Sequence, residues 1–342
     1  MHILKKHFMH KIINSKIKKM KKPRRIRKHF IYNKPKFSLK RSKNKKKYFQ
    51  KHSKIYKLIV ILLIIFFIIS TKYSMRRKTF DVFKKHKVFI EAHRGVNRVK
   101  FENTKEAISL AIKMGLDSFE TDTWLSKDNV LVLAHARRFG GVSSLYNSNY
   151  KIIHTNWAQL SKIRTKVGNL SMPRLEDIMI LTKNKIFMNL EIKDPRINLV
   201  FPQVTKLIEK YDFFDQISIS SFNHKYYQKI VEYNNNHPLR KRLTFGFLYG
   251  GGSNNKYFVY NLKYNTINAY WKKINKIVCD KAHANGMAVM AWFYMGETEN
   301  NHIYKRLFDY GVDVICSNEP LKAKKFRHYY YRKKMKKIST IL

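Results

Sequence analysis

The stretch VFIEAHRGVNRVKFENTKEAISLAIKMGLDSFETDTWL, residues 88–125, decides the fold because it joins two strand-like runs through one helix-like run. Residues 88–92 and 117–125 have the apolar content and the alternation of β-strands. Residues 103–115 carry apolar side chains at helical spacing, with a capping residue before them and a glycine at their end. A strand, a helix and a second strand in this order predict a parallel sheet with a helical crossover.

The same alternation continues along the middle of the chain, in about eight strand–helix units over about 235 residues. These units predict an α/β fold of the (β/α)8 TIM-barrel type, and the alternative is a doubly wound open sheet. No G-x-G-x-x-G motif follows the first strand, which removes the main signature of the alternative. Strands are predicted at residues 88–92, 117–125, 130–134, 186–192, 216–221, 243–248, 287–293 and 313–316. Helices are predicted at residues 103–115, 173–182, 198–211, 224–235, 271–285 and 300–310, and a glycine-rich mobile surface loop at 250–255.

The charge of the chain is concentrated in its two flanks. The 342 residues carry 71 Lys+Arg and 22 Asp+Glu, a formal net charge of +49. Residues 1–90 have a net charge of +29 and residues 322–342 one of +9, so +11 remains on the middle. The total suggests a nucleic-acid-binding protein, but no finger, helix-turn-helix or RNA-binding signature accompanies it. We instead expect solvated basic stretches that attract anionic lipid head groups, with nucleic acid as the less favoured partner.

An unbroken run of 12 large apolar residues, 58–69, follows the basic N-terminal stretch. A membrane-spanning helix needs about 17–25 residues. The segment reaches 17 when it is counted from Ile55 to Thr71, with Lys57 able to extend toward the head groups. The alternative is a buried strand or core helix, which the flanking basic stretches disfavour. We therefore predict one short transmembrane or membrane-anchoring helix in a single-pass protein, with the long basic arm placing the N-terminus in the cytosol.

These observations divide the chain into five parts. They predict a basic, disordered arm at 1–57, a membrane anchor at 58–71, a linker at 72–87, a TIM-barrel domain at 88–321 and a basic C-terminal tail at 322–342.

Polar groups with catalytic potential lie at or just after predicted strands, where barrel enzymes carry their active sites. Glu120 and Asp122 are two positions apart on one strand, so both carboxylates share a face. Glu191 and Lys193 have the same spacing at the end of another strand. The alternatives are a solvent-facing strand edge for the first pair and a simple salt bridge for the second. The remaining candidates are His93, Arg94 and His135.

Three carboxylates favour a hard divalent cation such as Mg²⁺ or Ca²⁺, because oxygen ligands suit these ions better than zinc. Neither Cys279 nor Cys316 belongs to a C-x-x-C motif, so a thiolate zinc site is not indicated. A cation together with Arg and Lys suits a substrate that bears phosphate. Two histidines can deprotonate a nucleophile and protonate a leaving group. The set as a whole favours phosphodiester cleavage.

The order and spacing of these residues resemble the glycerophosphodiester phosphodiesterase family over residues 88–321. The matching motifs are His93-Arg-Gly, Glu102-Asn-Thr, Gly115-x-Asp117-x-x-Glu120-x-Asp122, Ser126-Lys-Asp128, His135, Pro173-x-Leu175-Glu176, Glu191-Ile-Lys193, Ser220-Ser-Phe222, Gly286-x-x-Val289 followed by Trp292, and Gly311-Val-Asp313 with Pro320.

The resemblance implies a TIM barrel and a metal-dependent hydrolase that releases an alcohol and glycerol 3-phosphate, or a lysophosphatidic acid when the substrate is a lysophospholipid. By motif, His93 and His135 would be the acid–base pair. One divalent cation, Mg²⁺ or Ca²⁺, would be held by Glu120, Asp122 and Glu191. The substrate would contact Arg94, Lys193, Glu102 and Trp292.

Three departures from the family pattern leave other functions open. Ala136 follows His135 where the family usually has Asp, Phe101 stands in place of Pro, and the closing motif reads Ser317-Asn318-Glu319-Pro320 instead of Thr-Asp-x-Pro. The first departure removes a partner that could orient the imidazole of His135. The alternatives are a phospholipase D-like branch that forms a cyclic phosphate, and a basic nucleic-acid- or lipid-binding protein with a weakened active site.

Overall fold

The computed structural model describes residues 57–65, 88–135, 146, 148–250 and 265–339. Of the glycine-rich loop predicted at 250–255, residue 250 alone lies within these ranges. The N-terminal arm before residue 57 and the linker at 72–87 lie outside them.

Residues 57–65 form a helix whose side chains are exposed. Within the described ranges, no helix combines the length and the apolar character that crossing a membrane requires. The helix predicted at 58–71 is described only as far as residue 65.

The rest of the described chain is built on a closed ring of eight parallel strands, as predicted. The strands occur in the order β1-β9-β8-β7-β6-β5-β4-β2, and pairing of β1 with β2 closes the ring. A ninth strand, β3, pairs antiparallel with β2 outside the ring. The strands are β1 (Phe89–Ala92), β2 (Ser118–Leu125), β3 (Leu131–Leu133), β4 (Phe187–Ile192), β5 (Ile217–Ser221), β6 (Phe245–Tyr249), β7 (Asn265–Tyr270), β8 (Ala288–Trp292) and β9 (Val314–Ser317). This is a TIM barrel.

Helices connect the strands around the outside of the ring. Three of them begin at residues whose side chains accept a backbone N–H of the first turn: Thr104, Asn275 and Asn300. Within the barrel domain the helices are α1 (Lys105–Lys113), α2 (Trp157–Leu160), α3 (Leu175–Thr182), α4 (Ile197–Lys210), α5 (Tyr226–Asn235), α6 (Lys276–Ala284), α7 (Asn301–Tyr310) and α8 (Pro320–Ser339).

One predicted strand lies outside the ring, and one strand of the ring was not predicted. The strand predicted at 130–134 is present as β3, but it pairs antiparallel with β2 outside the ring, and its Val132 packs with Trp124, Tyr146 and Ile152 in a separate apolar cluster. The missing barrel strand is β7, which the sequence did not indicate. Its alternate residues Thr266 and Asn268 are polar and buried, so it has no apolar run. Continuous hydrophobicity therefore identified a strand outside the ring and did not identify β7.

The predicted boundary at residue 321 falls inside α8. Phe326 is buried, and its ring lies 5.7 Å from that of Tyr304 and 5.4 Å from that of Phe308, both on α7. Arg327 donates to the carbonyl of Val88 at 2.9 Å and pairs with the carboxylate of Asp117. The first turns of the segment expected to be a tail are therefore packed on the barrel.

The barrel interior beneath the strand ends is unusually polar. Glu91, Asn189, Ser218 and Thr266 line one small internal cavity. Asn189 Nδ2 donates to Glu91 Oε1 at 3.1 Å. Burial raises the pKa of Glu91 to about 7, although its hydrogen bond with Asn189 acts in the opposite direction. The carboxyl of Glu91 is therefore stabilised in its protonated form by the fold.

We predict that Glu91→Gln stabilises the protein at alkaline pH. In the unfolded chain the pKa of Glu91 is near 4.5, and in the fold it is about 7, so the stability that its proton provides is complete below pH 4.5 and is lost as the pH rises through 7. Glutamine keeps the hydrogen-bond acceptor and cannot ionise. In urea unfolding, the variant should match the wild type at pH 4.5 and exceed it by about 3 kcal/mol at pH 8. A stability difference that does not change with pH would contradict this.

Candidate active site

The predicted site residues meet in one cavity of about 450 Å³ at the carboxyl ends of the barrel strands. Seven of the nine line this cavity: His93, Arg94, Glu120, His135, Glu191, Lys193 and Trp292. Asp122 and Glu102 do not line it, and they contact the others from behind. The sheet brings the residues together because parallel strands all end at the same rim.

The three carboxylates form one buried cluster. Strand pairing places Asp122 opposite Glu191, and Glu120 follows two residues earlier on the same face of β2. One oxygen from each of the three lies within 4.8 Å of the others. This spacing is short enough for all three to reach one cation.

Two cationic side chains partly balance the cluster. Lys193 Nζ lies 2.8 Å from Glu191 Oε1 and 3.4 Å from Asp122 Oδ1. Arg94 Nε lies 3.4 Å from Asp122 Oδ2, and its Nη1 donates to Glu102 Oε2 at 2.9 Å. Glu102 thus acts on the cavity through Arg94. Both cations stand beside the carboxylates at the cavity wall.

The pKa values of the three carboxylates show that Arg94 and Lys193 do not fully balance their negative charge. Burial raises the pKa of Glu120 well above its usual value, and repulsion from Asp122 and Glu191 adds to the effect. Burial likewise raises the pKa of Glu191, with Lys193 opposing it. Burial also disfavours the charged form of Asp122, but Lys193 and Arg94 outweigh it and hold the pKa of Asp122 below its usual range. With Glu102 included, four carboxylates stand against the two cationic side chains Arg94 and Lys193, so a divalent cation would complete the charge balance.

The donor set fits a hard divalent cation. Glu120 Oε1 and Asp122 Oδ1 are buried, and no hydrogen-bond donor reaches them from the part of the chain that the structure describes. Buried carboxylate oxygens without a donor are costly unless another partner neutralises them. Three oxygen ligands are the chemistry that Mg²⁺ and Ca²⁺ prefer. Glu120, Asp122 and Glu191 would hold such an ion.

His93 is held by a side chain from the last barrel strand's end. Its Nδ1 lies 2.7 Å from Asn318 Oδ1, while Asn318 Nδ2 donates to the carbonyl of Tyr294 at 3.0 Å. The amide of Asn318 is thereby oriented so that its oxygen accepts from His93 Nδ1. The lone pair of His93 is then on Nε2, which lies 3.9 Å from Glu120 Oε2. Burial and the neighbouring Arg94 lower the pKa of His93 to about 3.

His135 reaches the site through the hairpin that β3 makes with β2. The N–H of Ala134 donates to the carbonyl of Asp122 at 3.1 Å, which sets His135 beside the carboxylates. His135 is half-buried. Burial lowers its pKa to about 4, even though the charge of Asp122 acts in the opposite direction. Ala136, which replaces the expected Asp, lies outside the described residues.

Sequence reasoning missed several residues that organise the site. Asn103 donates to Asp122 Oδ2 at 2.9 Å and accepts from the backbone N–H of Asp122 at 3.0 Å. Asn103 belongs to the Glu102-Asn-Thr motif and Asn318 to the closing motif, but the sequence predicted no role for either residue. Phe222, Tyr294 and Met295 also line the cavity. Only Phe222 belonged to a recognised motif.

Comparison with known proteins agrees with this site. Residues 93–322 match the model of the glycerophosphoryl diester phosphodiesterase family. A glycerophosphodiester phosphodiesterase from Caldanaerobacter subterraneus is 25% identical over 244 residues, which cover 68% of this chain and 95% of the relative. A lysophospholipase D from Homo sapiens is 23% identical over 278 residues, covering 70% and 86%.

A solved structure has the same fold. A phosphodiesterase from Oleispira antarctica, in complex with the product sn-glycerol-3-phosphate, superposes with a TM-score of 0.58 at 19% identity, covering 69% of this chain and 95% of that one. The chain therefore belongs to the glycerophosphoryl diester phosphodiesterase family. It is a phosphoric diester hydrolase of that family.

Proposed function

We propose that this enzyme hydrolyses glycerophosphodiesters to glycerol 3-phosphate and an alcohol, with His93 and His135 as the acid–base pair. The observation that supports the proposal most directly is that two cationic side chains, two histidines, Glu120 and Glu191 line one cavity, with Asp122 in the same cluster as the two glutamates. The lysophospholipase D relative makes lysophospholipids a second substrate class. The bond cleaved would then release a lysophosphatidic acid.

Arg94 and Lys193 would bind the phosphate of the substrate. Both are held in place by carboxylates, Arg94 by Glu102 and Lys193 by Glu191. Their charges face the cavity and oppose the negative charge that grows on the phosphoryl oxygens during attack. A fork of N–H donors such as that of Arg94 suits phosphate oxygens in particular.

The two histidines would move the protons. Water attacks phosphorus, the bond between phosphorus and the alcohol oxygen breaks, and the water proton passes to one imidazole. The other imidazole gives a proton to the departing alcohol oxygen. The hydrogen bond from His93 Nδ1 to Asn318 leaves Nε2 for this exchange. A cation bound by Glu120, Asp122 and Glu191 would supply Lewis-acid stabilisation of the phosphate.

Glu120→Gln provides the test of the proposal. It keeps the size of the side chain and removes a charge that the cation needs. Since loss of a mere supporting partner costs about 10- to 100-fold, loss of a ligand should lower kcat/KM for glycerophosphodiesters by at least about 100-fold. Glu232→Gln, an exposed site on α5, is the matched control and should keep full activity. Phosphorus NMR of the products, with and without EDTA, gives the measurement.

Two results would contradict the proposal. Turnover that persists in EDTA would show that the reaction needs no cation. Full activity of Glu120→Gln would show that the carboxylate cluster takes no part in catalysis. A cyclic phosphate product in the same spectra would identify the cyclising reaction instead of hydrolysis.

We also propose that residues 58–71 attach the enzyme to a membrane, with the N-terminus in the cytosol and the basic arm against anionic head groups. In support, the apolar side chains at 58–65 are 44–60% exposed. Exposed apolar surface of this extent on one short helix favours contact with lipid. The arm before it carries most of the positive charge of the N-terminal flank.

The membrane proposal predicts a charge-sensitive association with vesicles. The full-length chain should sediment with vesicles that contain phosphatidylserine. Leu62→Asp combined with Leu63→Asp should abolish sedimentation, because two buried charges are costly in hydrocarbon. Leu62→Ala with Leu63→Ala is the control and should retain most of it. Equal sedimentation of the two double variants would contradict an apolar anchor.

A further inference from the structure

Three aromatic side chains form one wall of the active-site cavity. Phe222, Trp292 and Tyr294 follow or end strands β5 and β8, on the side of the ring away from β2. Trp292 is the centre of the wall: its ring lies 6.1 Å from that of Phe222 at 88° and 4.8 Å from that of Tyr294 at 82°. Trp292 therefore packs edge to face with both neighbours instead of stacking on them. Below, these three residues are called the aromatic wall.

The aromatic wall presents open ring surface to the cavity. Trp292 is buried, whereas Phe222 and Tyr294 are 49% and 45% exposed. A Cβ placed on Gly250 would lie 3.5 Å from the hydroxyl of Tyr294 and 3.6 Å from Cε1 of Phe222. The backbone of Gly250 therefore adjoins both rings, and a side chain at this position would contact them.

Hydrogen bonds hold part of the wall in position. Glu297 accepts the backbone N–H of Tyr294 at 3.0 Å and the indole N–H of Trp271 at 3.2 Å. The indole N–H of Trp292 donates to the carbonyl of Asn268. Because the Trp292 ring is held before binding, it loses little conformational entropy when a ligand arrives.

The wall stands next to the position proposed for the phosphate. Lys193 Nζ lies 5.9 Å from the centroid of the Phe222 ring. A substituent on a phosphate held by Lys193 therefore begins beside this wall. The acids that line the cavity, Glu120 and Glu191, are on β2 and β4. Glu297 lies beside the wall, but it does not line the cavity, and its carboxylate accepts the N–H groups of Tyr294 and Trp271.

The chemistry of the wall selects among head groups. A polyol or a primary ammonium loses hydrogen bonds to water that the aromatic wall cannot replace, and unreplaced hydrogen bonds are costly. A quaternary ammonium donates no hydrogen bond, and its charge is attracted to ring faces. We propose that the aromatic wall is a subsite for a quaternary ammonium group, so that the preferred substrate is a diester of a choline-like alcohol. The proposal rests on the hydrolysis proposed above.

The test compares three substrates of the full-length enzyme that share the glycerol phosphate. They are glycerophosphocholine, glycerophosphoethanolamine and the 3,3-dimethylbutyl ester, which has the shape of the choline ester without its charge. The kcat/KM of the wild type should be about five- to thirty-fold higher for the choline ester than for either of the others. An equal rate for the neutral ester would mean simple hydrophobic contact and would overturn the proposal.

Variants assign the preference to the wall. Phe222→Leu and Tyr294→Leu should each reduce the ratio of choline ester to neutral ester toward one, whereas Tyr294→Phe, which retains the ring, should preserve it. Tyr329→Leu, at an exposed aromatic residue on α8, controls for a general effect and should leave the ratio unchanged. A ratio that both leucine variants preserve would contradict the subsite.

The outcome also separates the two proposals. Turnover of all three esters at one rate would leave hydrolysis in place and remove only the ammonium subsite. Absence of turnover for every ester would overturn the proposed hydrolysis and the subsite with it. Because the readout is a ratio between substrates of the same protein sample, partial misfolding of a variant does not change it.

Discussion

The burial of three carboxylates at one rim of the barrel is the constraint on which the rest of the structure depends. Glu120, Asp122 and Glu191 lie within reach of one another, and among the described residues the Arg and Lys side chains paired with them are Arg94 and Lys193. Like charges so close together in a poorly hydrated site repel strongly. The fold tolerates them because the barrel fixes their strands, and because a cation can complete the balance.

The polar residues around the cluster hold these groups in position. Asn103, whose φ of 55° lies in the left-handed region, bonds both the side chain and the backbone of Asp122. Asn318 fixes the ring of His93, and the buried carboxylate of Glu299 in turn accepts the backbone N–H of Asn318 at 2.8 Å. Because β1 and β9 are neighbours in the ring, residues that follow the first and the last barrel strands both support the site. Supporting hydrogen bonds of this kind set the orientation and the tautomer of catalytic groups.

The sequence predicted the barrel and the central site because both depend on local patterns. Alternating strands and helices define the ring, and residues at spacing two, such as Glu120 and Asp122, necessarily share a face. It did not predict β7, whose polar Thr266 and Asn268 are buried inside the ring, or the turn of residues 130–134 back onto β2. Phe326 packs against a different helix. His93 and Asn318 are hydrogen-bonded although they lie more than 200 positions apart in the chain. No spacing rule along the chain reveals such contacts.

Thermal unfolding tests whether the carboxylate cluster binds a divalent cation, and this test requires no assumption about the substrate. At a cation concentration about 100 times its Kd, a ligand that binds only the folded state stabilises it by about 2.7 kcal/mol. For a domain of this size, the Tm of the wild type should rise by about 5 °C or more when Mg²⁺ or Ca²⁺ replaces EDTA. Glu191→Gln should lose most of this rise. An unchanged Tm in the wild type, or an equal rise in the variant, would contradict the account.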